Sequence, residues 1–307
     1  MGIHRFRFAA LLAGALLTGC AALPDAQPFA DSSAQLAGST RAAGAALTQS
    51  LQAAQLNQAT EVGQAWAARV QAADAMARYG EQVAGLAAAG NLGRDSAGKL
   101  GGALTDLLKV TVTAQITAVV DIAKTLYEQA ARAAAAQQLD QAFQQAQPVV
   151  DAFADALDQD LDKRVVPLLQ LAQKQQAADI ASADGGVDKR NLLRAYELRL
   201  AALQQTALNA PTPQARQDAT AEGTRLEPLF AGLQADRAAR QKALADMNAA
   251  YAVRRALVNQ LSEALHAWAQ AHRDLAQAVR DKRKVDVTTL LSTTQELRDL
   301  IRKVRTT

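Results

Sequence analysis

The sequence predicts an all-α fold, an elongated antiparallel helical bundle with coiled-coil-like long helices. Composition is the first indication: half of the residues are hydrophobic but only 4% are aromatic, and alanine dominates the apolar set. Alanine has the highest helix propensity and no side-chain entropy to lose, so this composition favours helix throughout. The second indication is periodicity, because apolar residues recur at three- and four-residue steps along most of the chain. The third is a heptad seam. Leu226, Phe230, Leu233, Arg237, Arg240, Leu244, Met247, Tyr251, Arg254, Val258, Leu261, Leu265, Trp268, His272, Leu275 and Val279 alternate steps of four and three without a slip. Such spacing keeps one face turned toward a partner helix over roughly 80 Å. Small side chains bury little area each, so stability has to accumulate along long contacts, and a bundle of about five or six helices suits that need. No repeat of fixed length points to a solenoid.

The elements follow in order. Residues 20–32 contain Pro24, Pro28 and paired serines without a helical stripe, and read as a flexible tether preceding a single bundle over 33–307. From about residue 30 to 89, Leu36, Leu47, Leu51, Val62, Trp66, Val70, Met76 and Val83 mark one long first helix. The glycine-rich stretch 91–102 predicts a turn. Leu104, Leu108, Val112, Ile116, Val119, Ile122 and Leu126 share one helical face, despite the β-branched residues of 110–120. Pro148 marks a boundary before a third segment. There Val150, Phe153, Leu157, Leu161, Val165 and Leu168 form a stripe that Pro167 should bend. Asp184, Gly185 and Gly186 end it. Asp188 is placed to cap a short helix through Leu208, and the run from Asn209 to Pro213 closes that helix. Thr224 and Glu227 have capping-box spacing with Pro228 in the first turn, which predicts the start of the long seam helix, with an end near Arg280. After a polar turn at 281–286, Val287, Leu290, Thr294, Leu297, Ile301 and Val304 predict a last helix.

The first nineteen residues have the three parts of an export signal: a basic start with His4, Arg5 and Arg7, an apolar run over 8–17, and small residues before Cys20. The apolar run is about half the length that a bilayer span requires. Leu17-Thr18-Gly19-Cys20 resembles the lipobox of bacterial lipoproteins. The resemblance is confined to this leader, and it implies cleavage before Cys20, a diacylglycerol on the Cys20 sulfur and an acyl chain on its new amino group. Ala21, where inner-membrane retention favours Asp, implies an outer-membrane anchor on the periplasmic side. Cleavage would remove Arg5 and Arg7 from 33 basic residues, leaving them one ahead of the 30 acidic ones. The pI of about 9.1 is therefore no argument for nucleic-acid binding. With the single cysteine taken by lipid, no disulfide is available and packing alone must hold the fold.

Several stretches bear on chemistry. Gly93, Gly98 and Lys99 match the start of a phosphate-binding loop, but Leu100 stands where Ser or Thr should hold magnesium, and a helix precedes it rather than a strand. Asp151, Asp155, Asp158 and Asp162 form a narrow acidic stripe that a helix face adapts poorly to a cation. With the basic C-terminal part, including Lys282, Arg283 and Lys284, the stripe is a candidate interaction surface. His266 and His272 point about 120° apart, too far to share a metal. His272, Trp66 and Trp268 lie on apolar stripes and read as core residues. No catalytic or metal constellation and no cofactor motif emerges, which disfavours an enzyme. The expected activity is that of a non-enzymatic scaffold or protein-interaction module that binds an envelope partner or its own kind. The alternative is a membrane-perturbing bundle resembling α-helical pore-forming proteins, with residues 85–120 as the inserting hairpin. Arg94, Asp95, Lys99, Asp106 and Lys109 interrupt that stretch.

Overall fold

A computed structural model describes residues 24–89, 94–113, 117–182 and 186–306. It is all-α: α1 (Gln27–Ala53), α2 (Gln58–Ala88), α3 (Arg94–Thr113), α4 (Thr117–Ala134), α5 (Leu139–Asp160), a π-helical turn (Leu161–Val165), α6 (Val166–Ser182), α7 (Gly186–Asn209), α8 (Pro213–Asp281) and α9 (Thr288–Thr306). Because α5, the π-turn and α6 run on without a break, these make eight continuous helices, and no strand occurs among the described residues. The expected leader and Cys20 lie outside the described residues. The chain divides into two compact units. One comprises Met1–Ala37, Gln71–Ala156 and Leu265–Ser292, the other Gly38–Val70, Leu157–Ala264 and Thr293–Thr307. Helices α1, α2, α5, α8 and α9 each supply residues to both.

The proposed tether is shorter than its prolines suggest. Helix α1 begins at Gln27, whose amide donates to the Asp25 carboxylate at 2.9 Å. Pro28 falls in the first turn, where a missing N–H costs nothing, and Phe29 is fully buried. The long first helix is in fact two. Gln55 takes a left-handed conformation (φ 56), its amide donates to Gln52 O and the Leu56 amide donates to Leu51 O. That is a Schellman ending, closed by the buried pair Leu51 and Leu56. No glycine or proline announces it, so residues 30–89 read as continuous.

The expected turn at 91–102 is mostly helix, with α3 running from Arg94. Of its glycines, Gly101 serves packing, whereas Gly98 and Gly102 face open space. A Cβ on Gly101 would lie 2.2 Å from Ala134 Cβ and 2.7 Å from Ala134 Cα, so the start of α3 presses on the end of α4 in an antiparallel pair. The second predicted helix is divided between these two. Leu104, Leu108, Val119 and Leu126 are buried as expected.

Pro148 stands inside α5 rather than at its boundary. Pro167 has the expected consequence in another form. Its ring lacks an N–H and would crowd the carbonyl four residues back, and the π-turn just before it shifts the backbone so that the Val166 amide donates to Leu161 O. Asp188 lies inside α7, which starts at Gly186, and therefore is not its cap.

Helix α8 starts eleven residues before the Thr224 capping box, and its 69 residues run straight through Pro228. Thr212 is the true cap: its hydroxyl accepts from the Ala215 amide at 3.2 Å, and Pro213 occupies the first helical position. The end, Asp281, falls where the sequence places it. All six predicted core residues of α9 are buried. Along α8 the seam is buried from Met247 onward except at Tyr251, and Leu257, Ala264, Ala271 and Ala278 beside it are buried too. This part of α8 is enclosed on more than one side, which a two-stranded seam would not require.

Two sets of substitutions test this packing in urea melts. Gly101→Ala should destabilise by about 1–3 kcal/mol through overpacking. Gly102→Ala has nothing within 4 Å of the new methyl and should stabilise by about 0.5–1 kcal/mol. On α8, Leu261→Ala or Leu265→Ala should each cost about 2–5 kcal/mol. Substituting the exposed Asn259 or Gln270 should cost little, and equal losses on and off the seam would contradict the heptad reading.

Candidate functional site

In the first unit the polar atoms of the core converge on His272, which is 0% exposed. Its Nε2 lies 2.7 Å from the Tyr79 hydroxyl on α2, and its Nδ1 lies 2.8 Å from Gln147 Oε1 on α5. Gln147 Nε2 donates to Asp151 Oδ1 at 2.7 Å and to the Ala269 carbonyl at 3.1 Å. Both of those partners only accept, so the amide orientation is set and Oε1 must face the imidazole. His272 therefore carries its proton on Nδ1, and its Nε2 accepts from Tyr79. The chain reaches the surface where Asp151 pairs with Arg273 at 2.9 Å. Phe29, Tyr79 and Phe143 surround the ring at centroid distances of 5.7–6.0 Å. Burial first, and the neighbouring Arg273 second, push the His272 pKa down to about 3. Burial also pushes the Tyr79 phenol well above its ordinary value. With both ring nitrogens engaged and no exposed surface, this histidine ties α2, α5 and α8 together instead of offering a base to a substrate. Beside it, Trp268 donates to Ser33 Oγ at 3.0 Å, while Ser33 donates to Phe29 O, which attaches α1 to the same core.

The acidic stripe pairs with α8. Within the first unit Asp151 meets Arg273, and Asp155 Oδ1 lies 3.7 Å from His266 Nδ1. Within the second, Asp158 accepts from the Ser262 hydroxyl and Asp162 pairs with Arg255 at 3.1 Å. All four carboxylates thus find partners inside the fold, in an antiparallel register of α5 and the π-turn against α8. Lys282, Arg283 and Lys284 do not join them: they are exposed in the turn after α8, where Lys282 is left-handed (φ 54) and Arg283 pairs with Asp274. Asp274 also accepts from the Asp286 amide at 2.5 Å, and Asp286 in turn accepts from the Thr288 amide at the start of α9. Those backbone and side-chain hydrogen bonds from Thr288 hold the Asp286 carboxyl below its ordinary pKa.

In the second unit a buried ion pair joins Arg69 of α2 to Asp160 of α5 at 2.5 Å. Arg69 also donates to the Asp160 carbonyl at 3.1 Å and to Ala65 O, and Arg164 approaches Asp160 at 3.8 Å. Burial lowers the Arg69 pKa and raises that of Asp160, while their mutual attraction opposes both shifts. Arg254, a charged member of the seam, donates to Ser50 Oγ at 2.6 Å and to Ser50 O at 3.3 Å, close to the negative end of α1. An open groove of about 340 Å³ between α1 and α2 is lined by Arg41, Gly44, Thr48, Gly63, Trp66 and Val70. Trp66, one of the lining residues, donates to the Thr40 carbonyl at 2.7 Å.

Trp66, Trp268 and His272 are core residues, as their stripes predict. Arg94 to Lys99, the remnant of the phosphate-loop pattern, is helical, and Gly93 lies outside the described residues. Among the described residues no group of His, Cys, Asp and Glu could hold a metal ion, and no helix is long and apolar enough to cross a membrane. The sequence reading missed Tyr79, although its spacing from Met76 and Val83 continues their stripe. Gln147 carried no signal within a glutamine-rich run, nor did Arg69 and Asp160, which are far apart in the chain. No protein-family model, curated protein or solved structure shows a significant match to the chain.

Because the folded pKa of His272, about 3, lies below the ordinary 6.5, the unfolded chain binds the extra proton between those values. The stability of the neutral imidazole is fully present above pH 6.5 and is lost as pH falls toward 3. His272→Leu should lower stability at pH 7.5 by about 1–3 kcal/mol for each polar partner it strands. It should also flatten the acid limb by up to about 1.4 kcal/mol per pH unit. Urea unfolding at a series of pH values measures both effects, and identical slopes in the two proteins would contradict a buried neutral His272.

Proposed function

We propose that the protein is an outer-membrane-anchored periplasmic lipoprotein that acts as a non-enzymatic scaffold or protein-interaction module. The observation that carries this reading is the leader ending in Leu17-Thr18-Gly19-Cys20, with its basic start, short apolar run and the chain's single cysteine at the lipidation position. Ala21 favours the outer membrane. A diacylglycerol and an amide-linked acyl chain together supply the multiple chains that stable anchoring needs, since one chain alone binds only marginally. Support for a scaffold comes from the way the interior is used. The buried polar groups described above are spent on joining helices, and exposed leucines lie along α6, α7 and α8 in the second unit. The membrane-perturbing alternative places its inserting hairpin on residues 85–120, from the end of α2 through α3 to the start of α4, and dye leakage from liposomes tests it separately.

Anchoring is tested by Cys20→Ser. The full-length wild-type protein should pellet with membranes and incorporate labelled fatty acid, and the variant should do neither. Recovery of wild-type protein in the soluble fraction with its leader intact would overturn the lipoprotein reading.

A further inference from the structure

The heptad seam of α8 runs unbroken, but its burial does not. In the second unit Leu226, Phe230, Leu233 and Leu244 are only half-buried, whereas Val258 and Leu261 on the same seam are buried. Over its N-terminal part α8 pairs with α7 in a helical hairpin whose register is set by two ion pairs, Arg199 with Glu222 at 2.6 Å and Lys189 with Asp236 at 3.0 Å. Two helices alone cannot enclose a heptad seam. On the side of the hairpin marked by Arg199 and Glu222, two helical turns before Arg199 and two turns after Glu222 bring Leu192 and Leu229 opposite each other. They are 46% and 54% exposed, so a leucine pair lies open beside a half-open seam.

We propose that the α7–α8 hairpin docks with the same hairpin of a second copy of this chain, in a two-fold antiparallel four-helix contact centred on Leu192 and Leu229. Three features point to a second copy as the occupant. A heptad seam is completed by helices of matching 3.5-residue period, and this hairpin itself has that period on both strands: Leu193, Tyr196, Leu200, Leu203 and Ala207 on α7 alternate steps of three and four and are its buried and half-buried face toward the seam of α8. The flanking Arg199 and Glu222 give the patch one charge of each sign, so a two-fold rotation sets each charge against its opposite. The area is also sufficient. A face as long as the 24-residue α7 and two helices wide covers roughly 700 Å² per copy, so roughly 1,400 Å² is buried in total, within the range of stable dimers.

The test is the protein mass of the full-length chain in detergent micelles, by light scattering after size exclusion, together with that of Cys20→Ser without detergent. Both should have twice the monomer mass at micromolar concentration, and persistence of the dimer in Cys20→Ser separates this contact from lipid anchoring. The double variant Leu192→Glu/Leu229→Glu should return to monomer mass with unchanged helix content. Leu198→Glu, at a position 65% exposed on the side of α7 away from the seam, should remain dimeric. A monomeric Cys20→Ser protein, a dimer that survives the double substitution, or equal dissociation by Leu198→Glu would each overturn the proposal.

Discussion

Close approach between helices is the constraint on which the rest of this structure depends. Alanine offers one methyl to a contact, and attraction between small groups is lost over a fraction of an ångström. Helices faced with alanine therefore cohere only where their backbones nearly touch. Glycine makes that possible in each unit. In the first, a Cβ on Gly80 would lie 2.9 Å from Ser33 Oγ and 3.2 Å from Ala30 Cα, and Gly101 meets Ala134 in the same way. In the second, a Cβ on Gly44 would overlap the Trp66 indole at 2.1 Å. The few aromatic residues fill what small side chains leave open. Phe29, Tyr79 and Phe153 gather around Trp268 at centroid distances of 6.0–6.1 Å.

Alanine surfaces fit one another in many registers, so shape alone discriminates weakly among alternative packings. Buried polar contacts supply the discrimination, because a slipped register would leave them unpaired at a cost of about 1–3 kcal/mol for each group. The Tyr79–His272–Gln147–Asp151 chain does this in the first unit, and Arg69 with Asp160 and Arg254 with Ser50 do so in the second. The acidic stripe adds a row of weaker ties between α5 and α8 at the surface. Exposed pairs of that kind contribute about 0–1 kcal/mol each, so the stripe aligns helices more than it stabilises them.

The same economy bears on function. The buried polar groups named above are used in joining helices. Among the described residues of the second unit the surface is least complete along α7 and the facing part of α8, where the seam residues Leu226, Phe230, Leu233 and Leu244 are only half-buried. Under the proposed anchoring, such a face would suit holding something beside the membrane, which is the sense in which the lipobox and the helical chain support one reading.

Helical fold class, the stripe of α9, the end of α8 and the core placement of Trp66, Trp268 and His272 were all determined by the sequence alone. Each rests on local physics: alanine propensity, or a periodicity that assigns a residue to a face whatever the partner is. Breaks in helices were legible only where a residue type enforces them. Asn209 to Pro213 was readable, but the Schellman ending at Gln55 was not, because it is held by burial of Leu51 and Leu56 and not by a glycine. Prolines misled at Pro28 and Pro148, and Thr224 was mistaken for a cap, because the effect of such residues depends on where in a helix they fall. Tertiary structure alone decided the partners. It turned Gly101 from an expected turn residue into a contact with Ala134, placed Gln147 against His272 and Arg69 against Asp160, and closed the acidic stripe onto α8. Periodicity specifies which side of a helix is buried but not what lies against it, and the tautomer of His272 follows from what lies against it.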